Sequence, residues 1–222
     1  MSIGIRVKDD RTYRKIARKL GELGISCVNL DRTPCADIAV DLTDPAVSGV
    51  DGAVKECVRA VYGKFAEIVV GVDPGPRPGV AVFGDGRFVC GSNPASPEKA
   101  VAFVREVLYF CECDSCVIRV GDGAGVYRNR IINGLLPMRI ELVDEKKTSR
   151  NGDIEAAKQI AFLKGSPVKG PIELEPGEGE IRGIQNESRG ISGVTISKDL
   201  AREVAEGNLG MDAAIKKQKE KK

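Results

Sequence analysis

The sequence predicts an α/β protein: a mixed five-stranded sheet with flanking helices, preceded by a small α/β unit. Three observations carry that prediction. β-Branched runs recur through the middle of the chain as IVVGVD, GVAVFG, GRFVCGS, SCVIRVG and MRIELVDE; segments with apolar residues at helical spacing separate the later runs; and a βαββα pattern precedes them all. The expected division is residues 1–64 for the small unit and 65–222 for the larger one, with a C-terminal extension from about residue 166.

In the first unit IGIRV is a short strand. Tyr13, Ile16, Ala17, Leu20 and Leu23 then recur at helical spacing, with Arg11, Arg14, Lys15, Arg18 and Lys19 on the opposite, solvated face. Gly24 marks the end of that helix. ISCVNL and ADIAVDL are two further strands, and GAVKECVRAVYG is a second amphipathic helix ending at Gly63. In the second unit Asp85-Gly86, flanked by apolar runs, is a hairpin signal. Ser96-Pro97-Glu98 starts a helix whose buried stripe is Ala100, Val101, Phe103, Val104, Val107 and Leu108. VYRNRIINGL gives the next helix, and another from about Asn151 to Lys164 follows the last strand. Beyond Gly165, SPVKGPIELEPGEGEIRGIQNESRGISG is dense in Gly, Pro and charge, which predicts loosely ordered chain with strand-like scraps at IEL and VTIS. Ser197 caps a last helix from Lys198, and KKQKEKK is expected to be a frayed, solvated tail.

Composition narrows the function classes. The 222 residues carry a formal net charge of +2, so a grip on nucleic acid has to come from a local basic patch and not from the field of the whole molecule. Histidine is absent, which excludes Ser-His-Asp triads, His-based zinc motifs and any imidazole base. The odd count of seven cysteines fits reduced thiols in a cytosolic protein. No run of eighteen apolar residues is present and MSIGIRVKDD lacks the apolar stretch of a signal peptide, so a soluble cytoplasmic protein with no membrane partner is expected.

Chemistry then falls to carboxylates, and their placement is the informative feature. In EIVVGVDPGPRPGVAVF, Asp73 ends a β-branched run and precedes Pro74, which keeps it extended and therefore part of the strand. Prolines 74, 76 and 78 stiffen the turn that follows; Asp-Pro-Gly alone is also an ordinary turn tripeptide. VIRVGDG places Asp122 just past another strand, IELVDE ends a third with Asp144 and Glu145, and NGDIEAA puts Asp153 in the first turn of a helix. Strand carboxyl ends and helix starts can converge on one crevice in an α/β sheet. Carboxylates gathered there repel one another unless a cation neutralises them, and oxygen donors favour Mg²⁺ or Mn²⁺. Two such ions can cleave a phosphodiester without histidine.

VGVDPGPRPGVAV resembles the first hairpin of the RNase H-like fold, in the branch of the RuvC Holliday-junction resolvases and the YqgF (RuvX) family. VDEKKTS resembles the YqgF pattern Asp-Glu-Arg-x-Thr-Thr, and DIEAAKQIAFL the Asp-x-x-Ala-Ala helix that follows it; the three motifs occur in the family's order over about residues 66–165. The resemblance implies a nuclease that cuts structured or branched nucleic acid, a DNA junction or a structured RNA, with Asp73 and Asp153 as Mg²⁺ or Mn²⁺ ligands and Asp144 or Glu145 as a third acid. It also implies a homodimer. Two departures stand out. RuvC-like enzymes carry a glutamate within the fourth strand, where this chain reads VIRVG and has Asp122 one step beyond. The second acid of the last helix would have to be Glu155. YqgF members lack that strand glutamate as well.

Other signals are weaker. Cys111, Cys113 and Cys116, with Cys90 as a fourth ligand, could hold zinc, but the paired CxxC spacing is missing. GDGAGVYRNR lacks the Lys-Ser/Thr end of a Walker loop; its Arg128 and Arg130, with Arg182 and Arg189 further on, are candidates for backbone phosphates, against the plain alternative of solvated faces. Two competing functions remain at this level: a nucleic-acid-binding or RNA-processing factor that kept the fold and lost cleavage, and an actin- or sugar-kinase-like phosphotransferase, whose related fold also opens with an Asp-x-Gly hairpin.

Overall fold

The computed structural model describes residues 3–33, 36–43, 49–144 and 153–220. The first unit is a parallel three-stranded sheet in which β1 (Ile3–Arg6) lies between β2 (Cys27–Asn29) and β3 (Ile38–Asp41), with helices α1 (Asp10–Glu22) and α2 (Gly49–Tyr62) packed together. Asp9 caps α1 by accepting from the Thr12 N–H, and Ile16 and Leu20 bury the apolar stripe. Just after the helix, Gly24 takes a left-handed φ of +74°, a conformation that favours glycine.

The larger sheet has the order β6-β5-β4-β7-β8-β9. β4 (Phe65–Asp73), β5 (Gly79–Gly84) and β6 (Arg87–Ser92) form an antiparallel meander, while β7 (Cys113–Gly121) and β8 (Ile140–Val143) add parallel to β4. This is a mixed sheet of five main strands, compatible with the RNase H-like fold, extended by the two-residue β9 (Ser166–Pro167). Asp85 and Gly86 both have positive φ, the backbone demanded by the tight turn between β5 and β6. Helices α3 (Pro97–Phe110) and α4 (Gly125–Leu135) pack on one another, and α5 (Asp153–Phe162) covers β4 and β5. A contiguous hydrophobic cluster links the two sheets, running from Ile5 and Leu20 through Val54 and Val58 to Ile68, Val70, Ile118 and Ile132.

The C-terminal region corrects the sequence reading. Instead of loose chain, residues 178–220 form three helices: α6 (Glu178–Ser192), α7 (Lys198–Ala205) and α8 (Met211–Glu220). They share a core of Ile181, Ile184, Ile196, Leu200, Val204 and Ile215, to which Val126 of α4 contributes. Neither IEL nor VTIS is a strand, and the segment expected as a frayed tail is helical through Glu220. The long last helix expected from Lys198 is two helices, interrupted around Gly207, whose φ is +79°. Among the described residues no helix is long and apolar enough to cross a membrane.

Candidate active site

The parallel register brings three strand ends to one edge of the sheet. Val72 lies opposite Val120 and Gly121 opposite Val143, so Asp73, Asp122 and Asp144 come at or one residue beyond the carboxyl ends of neighbouring strands. The Asp122 N–H donates to the Val143 carbonyl at 2.9 Å, which fixes the outermost rung. Asp73 is half-buried, whereas Asp122 and Asp144 are exposed.

Strand alternation fixes the face of Asp73, the one of these acids that lies within a strand. Ile68, Val70 and Val72 belong to the large core, while Val69 packs with Ala81, Phe83, Ala157 and Ala161 under α5. Asp73 therefore shares the α5 face. On β7 and β8 the large core takes Ile118, Val120 and Ile140; Asp122 and Asp144 stand one residue past the ends of these strands, and Asp144 lines a small recess with Val143, Leu163 and Lys164.

Helix α5 sits close to the sheet because the strands offer it small residues. A Cβ at Gly71 would run into the backbone of Ala157 and Ala161. At its start Ile154 reaches Gly91 on β6, and at its end the Phe162 ring lies 4.7 Å from that of Phe83, the cross-strand partner of Val69. The helix thus crosses the strands from β6 over β5 and β4 to β7, where the Arg119 guanidinium donates to its Ala161 carbonyl, and Asp153 begins it on the β6 side. Glu145 lies outside the described residues, as does the side chain of Asp153.

The candidate phosphate ligands differ in availability. The Arg128 guanidinium donates to the Asp122 carbonyl at 2.6 Å and to Asn129 Oδ1 at 2.9 Å, bracing the turn in which Ala124 takes a left-handed φ of 45°. Arg130 is a structural tie: its side chain is 10% exposed, pairs with Glu98 on α3 at 2.5 Å and donates to the Val204 carbonyl on α7 at 2.9 Å. Arg182 and Arg189 stand exposed on α6, two helical turns apart on one stripe, and not in a loop.

Two charged groups escaped the sequence reading. Arg119, on the α5 face of β7, donates to Glu141 of β8 at 3.1 Å and to the Ala161 carbonyl at 2.5 Å. Burial by itself would raise the Glu141 carboxyl, but hydrogen bonds from Arg119 and Arg139 outweigh it and hold Glu141 below the usual carboxylate range. The signal was present as one cation and one acid within neighbouring apolar strands, VIRVG and IELV. Glu180, at the third position of α6, accepts from the Gly177 N–H at 3.0 Å and from the Val126 N–H at 2.9 Å, so one carboxylate caps two helices. α4 has no capping side chain of its own.

The thiols are poor candidates for ligation. Burial first, then neighbouring thiols, pushes Cys90 and Cys116 up to about 12 and Cys111 up to about 11. Among the described residues no three Cys, Asp or Glu side chains form a group that could hold a metal ion.

Comparison with known proteins adds one match of family type. Residues 177–220 match a family model described as a three helical bundle domain, which is the segment that folds as α6 to α8. No curated protein matches the sequence. Among solved structures, the chain is similar to Marinitoga piezophila Argonaute in complex with 5′ OH guide RNA, at 10% identity and a TM-score of 0.27, over 68% of this chain and 41% of that one. The chain thus spans less than half of that Argonaute, and a likeness at this score carries no argument about function.

Proposed function

We propose that this protein is a divalent-metal-dependent nuclease that hydrolyses phosphodiesters in structured or branched nucleic acid. One observation supports the reading best: Asp73 closes β4 at a half-buried position on the sheet face that α5 covers. The donor chemistry fits the ion, because Asp73 offers carboxylate oxygen at a half-buried position. Asp73 and Asp153 would hold Mg²⁺ or Mn²⁺, with Asp144 or Glu145 as the further acid and Asp122 as an outer or substitute ligand. When bound, the ion supplies an activated water and stabilises the leaving oxygen. Arg182 and Arg189, exposed on α6, would hold backbone phosphates, a positioning role that carries no sequence information.

The second reading, a nucleic-acid-binding factor without cleavage, is favoured by Arg119. The α5 face of β7 presents a cation, committed to Glu141 and to α5, in the strand where RuvC-like enzymes carry a glutamate. Four-way DNA junctions, flaps, duplexes and structured RNAs incubated with the protein in Mg²⁺, Mn²⁺ or EDTA, beside Asp73→Asn, separate the two. Metal-dependent cutting that disappears in Asp73→Asn establishes the nuclease. Binding that survives both EDTA and Asp73→Asn, with no substrate cut, establishes the binding factor.

A further inference from the structure

The C-terminal bundle does not lie flush on the sheet. Between the bundle and helices α3 and α4 opens a cleft of 440 Å³, walled by α3, α4, α6, α7 and the start of α8. Pro76, from the turn that follows Asp73, stands at its edge. The cleft is held open by ties between the bundle and the helices beneath it: Arg130 between Glu98 and the Val204 carbonyl, Glu180 on the Val126 N–H, and the Tyr127 hydroxyl, which donates to Glu187 at 3.3 Å. Such a preformed recess between two hydrophobic cores, of a few hundred Å³, is where small-molecule sites occur.

Its chemistry is specific in kind. Pro97, Val204, Leu209 and Met211 supply apolar walls. Glu98, Glu187 and Asp212 supply hydrogen-bond acceptors, Lys99 supplies a cation, and the second cation in the lining, Arg130, is paired with Glu98. The Glu98 carboxyl would be raised by burial, but its own backbone N–H and Arg130 hold it below the usual range; the Tyr127 phenol is pushed up by burial and by Glu187. At neutral pH the recess therefore presents carboxylates to any ligand edge. The complementary ligand has a flat apolar face, N–H donors along one edge and an attached anion that Lys99 can meet.

We infer that this cleft binds one amino-bearing nucleobase, adenine, guanine or cytosine, carried by a nucleotide or by a nucleic-acid strand. The choice of ligand rests on the nucleic-acid reading above. Carboxylate acceptors reward the exocyclic amine, which uracil and thymine lack. A base seated here lies beside the turn that leads out of Asp73, so a strand held by one base passes the sheet end that carries the acids.

Calorimetric titration of the full chain with the monophosphates of adenosine, guanosine, cytidine and uridine, and with oligo-dA and oligo-dT, tests the assignment. The wild type should bind the amino-bearing monophosphates and oligo-dA more tightly than their uracil and thymine counterparts. Ala213→Phe, at an exposed position lining the cleft, should weaken all of them by about tenfold with an unchanged melting temperature. Glu187→Gln, which keeps an acceptor for Tyr127, should erode the preference for amino-bearing bases. Tight binding of strands but not of monophosphates, still sensitive to Ala213→Phe, identifies the strand as the source of the base. No binding by either, or binding that Ala213→Phe leaves unchanged, overturns the assignment. The two readings fail separately: base binding with no nucleic acid cut removes the nuclease and keeps the cleft, while cutting indifferent to Ala213→Phe does the reverse.

Discussion

The two faces of the six-stranded sheet solve different problems. One face meets α3, α4 and the N-terminal unit with large aliphatic residues, Ile68, Val70, Ile118 and Ile140, all nearly inaccessible. The other meets one helix, setting Gly71 and Ala81 against Ala157 and Ala161 of α5, and closes its flank with the Arg119–Glu141 ion pair. The first face buries apolar area, which is where most stability originates. The second gives up side-chain area so that α5 can approach the backbone of β4, bringing Ala157 and Ala161 against Gly71, two residues before Asp73. Stability and the candidate site are thus loaded onto opposite faces.

Substitutions can break this contrast. Gly71→Val should be the most damaging: its side chain would run into the α5 backbone, which cannot yield as a flexible side chain can. A loss of about 4 kcal/mol in denaturant unfolding is expected, with loss of any cutting. Ile118→Ala on the opposite face should cost about 3 kcal/mol through the cavity it leaves, yet preserve metal-dependent activity at temperatures where the protein remains folded. If the two variants lose activity in the same proportion to stability, the division between faces is wrong.

Arg119→Met sharpens the comparison on the α5 face. It removes one partner of a side chain that is 11% exposed while leaving Arg139 in place, so a cost of about 2 kcal/mol at neutral pH is expected. The folded pKa of Glu141 lies below its unfolded value. Its contribution is therefore present above about pH 4.3 and fades as pH falls through the lowered folded value. Without Arg119, burial pushes the Glu141 carboxyl upward, so the gap between variant and wild type should be widest near neutrality and should narrow in acid. Urea unfolding across that range checks both magnitude and sign.

The smallest effect expected is at Glu180. Glu180→Ala strips a cap from α6 and another from α4, about 1.5 kcal/mol in all, felt mainly where the bundle meets α4. Hydrogen exchange should rise at the Gly177 and Val126 amides and stay unchanged in β4 and β7. Uniform loss of protection across the sheet would mean that the bundle is integral to the sheet fold.

Much of this was legible from local patterns. The β-branched runs gave β4 to β8, Asp85-Gly86 gave their tightest turn, and Ser96-Pro97 gave the start of α3, where the Ser96 hydroxyl accepts from the Lys99 N–H. Each depends on neighbours within a few residues, so sequence by itself determined it. Helix α6 was hidden because Gly179, Gly183 and Gly190 disfavour a helix locally; Ile181 and Ile184 overcome that cost only by packing into a core built with α7, α8 and Val126. The acids at the strand ends were also legible one by one, but which of them share a face was not. Alternation along β4, read with knowledge of where α5 lies, places Asp73 on the face that α5 covers, while Asp144 borders the chain that leaves α5. Arg130 looked like a ligand for phosphate until the fold supplied Glu98 and the Val204 carbonyl, partners distant in sequence. Sequence determined which chemical groups the chain carries and where strands and most helices begin. Only the tertiary structure decided which groups meet, because a side chain's partner is set by packing between elements far apart along the chain.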